Sequence, residues 1–114
     1  MRAEDVGSAE KTQLPKVFFD RKELNLILST YGRGVAAGAF RDYAMDALTH
    51  RALFSIYRRA SEVPLYVIEK KPELARRQGA YAVLTGQGFI LKRGHDLAQA
   101  LKILDRPRFA IATD

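Results

Sequence analysis

The hydrophobic and polar positions of this chain follow two rhythms, helical towards both ends and alternating in between. Leu24, Ile27, Leu28, Tyr31 and Val35 recur at i, i+3, i+4, i+7 and i+11, the apolar stripe of an amphipathic helix. Ahead of the stripe, Asp20 and Glu23 have the spacing of an N-cap and its reciprocal capping-box partner. A helix is therefore predicted to start at Arg21, with Phe19 as its hydrophobic staple. Gly32 and Gly34 would each cost roughly 1 kcal/mol inside a helix. The stripe persists through Val35, which favours a stop at Gly38 over one at Gly32.

From Arg41 the period drops to two: Tyr43, Met45 and Ala47 alternate with Asp42 and Asp46, which predicts a strand. Turn signals at 49–51 and 60–62 mark out two more strands, 52–59 and 63–70, with Pro64 at the start of the latter. Pro72 and Gly79 bracket a short helical connection, expected to cross over one sheet edge. Thr85-Gly86-Gln87 separates 80–84 from 88–92 and predicts a hairpin, with Gly86 at the first place of a type II′ turn. A last helix from about His95 carries Leu97, Ala100, Leu101 and Leu104, and the chain leaves it at Arg106-Pro107.

The order helix, five short strands, helix predicts an α+β fold. An antiparallel sheet of about five short strands should carry an N-terminal and a C-terminal helix packed on one face. Alternation assigns Tyr43, Met45, Phe54, Ile56, Leu65, Val67, Tyr81, Val83, Phe89 and Leu91 to the face under the helices. It assigns Tyr57, Arg59, Tyr66, Ile68, Lys70, Ile90 and Lys92 to the opposite face. Residues 1–15 have few large apolar groups and are expected to form a disordered tail. Residues 16–105 make a single domain and 106–114 a C-terminal extension.

The 114 residues suffice for one hydrophobic core. The absence of cysteine removes disulfides, thiolate zinc sites and cysteine nucleophiles, and fits a reducing compartment. The N-terminus leads into polar residues, and no apolar run reaches the roughly 20 residues of a membrane span. The expectation is a cytoplasmic protein with no membrane partner. Net charge is +6; residues 1–15 hold more acidic than basic groups, so the basic character lies in the predicted domain. That balance raises the prospect of an anionic partner.

Several blocks in order carry a resemblance: Val17-Phe18-Phe19-Asp20-Arg21-Lys22-Glu23-Leu24, Arg41-Asp42-Tyr43-Ala44, Phe54-Ser55-Ile56-Tyr57-Arg58-Arg59, Pro64-Leu65-Tyr66, Ile68-Glu69-Lys70, Arg77-Gln78-Gly79-Ala80-Tyr81 and Ile90-Leu91-Lys92-Arg93-Gly94-His95-Asp96-Leu97. Over residues 17 to 105 the chain resembles a family of small alphaproteobacterial proteins catalogued as domain of unknown function 2794. The resemblance implies a bacterial, cytoplasmic protein and transfers no catalytic or binding residue.

The candidate chemistry is sparse. His50 and His95 are the only imidazoles, too few for a metal site without more ligands, so neither metal nor cofactor is expected. Ser29, Ser55 and Ser61 lack the strand-to-helix elbow that exposes a nucleophile. Gly32-Arg33-Gly34 lacks the preceding strand and third glycine of a dinucleotide fingerprint. Lys92-Arg93-Gly94-His95 precedes a helix whose free N–H groups would suit an anion, although an ordinary strand-to-helix turn explains it as well.

The remaining candidate is a basic, tyrosine-bearing sheet face. There Tyr57 and Tyr66 would stack bases while Arg59, Lys70 and Lys92, with Arg76, Arg77 and Arg93 nearby, track phosphates. The leading expectation is a non-enzymatic binding or regulatory module for RNA or DNA. The alternative is an adaptor for another protein, or a homodimer, using the same face; a small enzyme ranks third.

Overall fold

The computed structural model describes residues 15–59 and 63–105. The expected C-terminal extension, and all but Pro15 of the expected tail, lie outside the described residues. Helix α1 spans Arg21–Ala36. The Glu23 N–H donates to Asp20 Oδ1 and the Asp20 N–H donates to Glu23 Oε1, both at 2.8 Å, closing the capping box. The helix runs through Gly32 and Gly34. At Gly34 a Cβ would collide with the buried ring of Phe40, so close packing explains that glycine. Gly38, at φ +81°, takes the left-handed conformation that follows the helix end.

The strands are β1 (Asp42–Ala47), β2 (Ala52–Tyr57), β3 (Tyr66–Lys70), β4 (Tyr81–Thr85) and β5 (Ile90–Gly94). They pair in chain order, every pair antiparallel. Helix α2 (Leu97–Leu101) is capped by Asp96, whose Oδ1 accepts from the Ala98 N–H at 3.0 Å, and ends in a 3₁₀ turn, Lys102–Asp105. It packs on β4, β5 and α1. The architecture is the α+β arrangement expected from the sequence. The core comprises Ile27, Phe40, Ala52, Phe54, Ile56, Ile68 and Val83 with the α2 stripe Leu97, Ala100, Leu101 and Leu104.

Three local expectations are corrected. The connection after β3, a 3₁₀ turn at Pro72–Leu74, crosses no sheet edge, because β3 and β4 are antiparallel neighbours. In the β4–β5 hairpin the left-handed residue is Gly88, at φ +98°, not Gly86. Thr85 and Phe89 bracket a three-residue loop, closed by the Thr85 N–H donating to the Phe89 carbonyl at 2.8 Å. In α1 the buried row is Glu23, Ile27 and Thr30, whereas Leu28 and Val35 are exposed.

The faces of β3 and of part of β5 are also exchanged. Ile68 pairs with Phe54 and Val83, so Tyr66, Ile68 and Lys70 lie under the helices, and Val67 and Glu69 face outward. A nearly unbroken apolar run from Val63 to Ile68 gave alternation no polar phase to follow. In β5 the register slips at Val83/Leu84, which brings Lys92 opposite Val83 on the helix side.

Candidate protein-binding site

Among the described residues, two helices do not cover five strands. On β2, Phe54 and Ile56 are fully buried, yet their direct partners on β1, Met45 and Tyr43, are 50% and 40% exposed. Beside them an apolar groove of about 240 Å³ opens between the start of α1 and the sheet, lined by Phe18, Phe19, Leu24, Met45, Ala47 and Ala52, with Asp46 at its margin. Phe18, one residue before the helix staple, is 64% exposed. Further along α1, Tyr31 meets Tyr43 edge to face at 5.0 Å. Leu28 and Val35 share the same helical flank.

Beyond its pairing with β2, the end of β1 is met by the segment before α1, where the Val17 N–H donates to the Leu48 carbonyl at 2.8 Å. No described strand pairs with the outer edge of β1. The Tyr43 N–H donates to Asp42 Oδ1 at 2.8 Å instead of to β2. In an antiparallel ladder the N–H and C=O of one residue point the same way and alternate along the strand. The groups of Met45 therefore also point away from the sheet. Burial raises the Tyr31 hydroxyl pKa, and the nearby Asp42 carboxylate raises it further.

A buried polar knot holds the floor of this groove in place. Glu23 Oε1 accepts from Lys70 Nζ at 2.8 Å, and Glu23 Oε2 accepts from the Tyr81 hydroxyl. Lys70 Nζ also donates to the Phe18 carbonyl at 2.9 Å, tying the groove-lining residue to β3. Burial raises the Tyr81 pKa strongly and the hydrogen bond to Glu23 adds to it, so Tyr81 stays a neutral donor. Both ends of the Lys70–Glu23 pair are largely shielded from water, and charged partners in such surroundings fix the helix against the sheet.

The eight residues expected to form one anion-binding face are dispersed. Tyr57 projects from the outer face, opposite Asp42. Tyr66 lies under the helices, edge to face with Phe40 at 6.2 Å, and burial raises its pKa. Lys70 is bonded to Glu23. Lys92 is on the helix side at the opposite sheet edge. Arg93 is on the outer face, where it and Arg51 clamp Glu69 at 3.1 and 2.9 Å. Arg59 follows β2 at one end of the sheet, and Arg76 and Arg77 follow the 3₁₀ turn at the other. The expectation of one basic face bearing both tyrosines is corrected by the register of β3. Burial would raise the Glu69 pKa, but the Arg51 and Arg93 hydrogen bonds outweigh it and hold the carboxyl below its ordinary value.

Sequence reasoning missed Phe18, Met45, Asp42 and Asp46 as a group. Their signal was present in β1, which alternates acidic and apolar residues with no large aliphatic side chain, the composition of an edge strand.

Fold and surface together define a small α+β domain in which no described strand pairs with the outer edge of β1. The chain belongs to the family described as "Protein of unknown function (DUF2794)", which it matches over residues 17–101. No curated protein and no solved structure matches it. Among the described residues, no helix is long and apolar enough to cross a membrane.

Proposed function

We propose that this domain is a non-enzymatic protein-interaction module that takes an extended segment of a partner protein along the outer edge of β1. The observation that carries the reading is the conjunction of a strand edge that no described strand pairs with and an apolar groove beside it. Main-chain hydrogen bonds to an added strand supply affinity, and pockets for alternate side chains supply selectivity. Exposed edges are ordinarily blunted or covered because they template pairing with other chains. Here Met45, Phe18 and Tyr43 leave the edge apolar on the helix side. The adaptor reading is favoured over RNA or DNA binding because Tyr57 and Tyr66 project from opposite faces, so bases cannot stack on both.

The test is selection of peptides from a random displayed library on the full chain, with Met45→Asp as the counter-selected control. The wild type should enrich apolar-containing peptides that Met45→Asp does not retain. No enrichment over Met45→Asp overturns the reading. So does binding of mixed-sequence RNA or DNA oligonucleotides, weakening steeply with salt as phosphate contacts do, in the absence of any selected peptide.

A further inference from the structure

We infer that the partner segment is a strand with a basic residue, an apolar residue, any residue, an apolar residue and a second basic residue in succession. The inference rests on the proposed use of the β1 edge and adds the chemistry of the occupant.

Side chains of paired strands project to the same face at directly opposed positions. Along β1, Tyr43 and Met45 project to the helix side, where Met45 lines the groove, and Asp42, Ala44 and Asp46 project to the other face, with Asp46 also bordering the groove margin. An added strand therefore sets two of its residues, two apart, beside Met45 and Tyr43, where the surroundings are Phe18, Leu24 and Tyr31. Those residues must be apolar. The positions opposite Asp42 and Asp46 lie four apart on the solvent side. Both carboxylates are exposed, and neither is ion-paired among the described residues. Opposite charges directly across a strand pair stabilise it and like charges destabilise it. Cations belong at those two positions, and the residue between them, opposite Ala44, meets only a methyl group.

Asp42 adds a condition on entry. Its Oδ1 accepts from the Tyr43 N–H, the donor that an added strand needs. A cation opposite Asp42 draws that carboxylate away and frees the N–H for the ladder, so the basic residue both pairs with the edge and unmasks it. A second copy of this chain fits poorly: the two-fold antiparallel register centred on Ala44 sets Asp42 opposite the other copy's Asp46, and each copy carries a net charge of +6.

The probes are two short end-capped peptides, one with arginines flanking leucine, threonine and valine, the other with glutamates in place of the arginines. Binding to the full chain is read by titration calorimetry and by backbone amide shifts of β1. The arginine peptide should bind the wild type and shift the Tyr43 and Met45 amides. Removing both charges with Asp42→Asn plus Asp46→Asn should weaken it about fivefold, from two exposed cross-strand pairs. The glutamate peptide should bind at least that much more weakly than the arginine peptide. Equal binding of the two peptides, lost from both in Met45→Asp, overturns the charge pattern and leaves the interaction module standing. Failure of the arginine peptide to bind overturns the inference, as does a concentration-dependent dimer that Met45→Asp dissociates. The asparagine substitutions are at exposed positions, so the comparison does not hinge on folding.

Discussion

Replacing Glu23 by alanine tests how this fold is held together. A glutamate at the third position of a helix ordinarily supports the cap and little more, and loss of a cap costs about 0.5–2 kcal/mol. Here the Glu23 side chain is 10% exposed, and its carboxylate also accepts from the Tyr81 hydroxyl and Lys70 Nζ. A hydrogen bond to a charged group contributes about 1.5–3 kcal/mol, and Lys70, whose side chain is 18% exposed, loses its carboxylate partner. Glu23→Ala should therefore cost roughly 3–5 kcal/mol, the range for breaking a buried pair from one side. Glu23→Gln, which keeps an acceptor for the Asp20 N–H, should cost about 1–2 kcal/mol less than that. Urea unfolding followed by circular dichroism measures both, with an unchanged m-value required for the comparison. A loss below about 1 kcal/mol for Glu23→Ala would reduce Glu23 to a capping residue and refute the reasoning.

Leu101, 3% exposed in the α2 stripe against β4 and β5, should lose about 2–5 kcal/mol on substitution by alanine; thermal and urea unfolding check it, and a loss under about 1 kcal/mol would mean that the site collapses around the cavity. Glu69 sets an acid limb. Its folded pKa lies below the ordinary glutamate value of 4.5, so around that pH the folded state binds its proton less readily than the unfolded chain. Its stabilisation is present above pH 4.5 and is lost as the pH falls through the lower folded value. Stability measured from neutral pH downward should drop less steeply in Glu69→Gln than in the wild type.

How much of this was legible in the sequence depends on whether the deciding contact was local. The capping box at Asp20 and Glu23, the α2 stripe and the helix stop at Gly38 all depend on neighbours within a few residues, and each is found where the pattern puts it. The face of β3 depends on pairing with β2 and β4, and the residues 63–68 are apolar or proline almost throughout, so periodicity carried no phase. Lys70 made the error worse. A lysine in a strand reads as an outward residue, yet its ammonium reaches Glu23, 47 positions away in the chain. The buried Glu69 was hidden for the same reason, because its partners Arg51 and Arg93 are brought to it only by the sheet register. The candidate site was the least legible part, since it is made by what the helices leave uncovered.

That uncovered strip follows from simple dimensions. Strands lie about 4.8 Å apart, so five of them present a face roughly 24 Å wide. Two helices packed about 10 Å apart cover roughly 20 Å of it. One strand is left over, and the connections decide which. Only His95 and Asp96 separate β5 from α2, so α2 must fold back over β4 and β5. Helix α1 has a longer link to β1, residues 37–41, and Glu23 pulls its first turn to Lys70 on β3 and Tyr81 on β4. With α1 drawn inward, β1 keeps its pairing with β2 on one side and loses cover on its helix face. The same charged contact that locks the helix onto the sheet thus leaves Met45 and Tyr43 exposed, and the Lys70 bond to the Phe18 carbonyl fixes the wall opposite Met45.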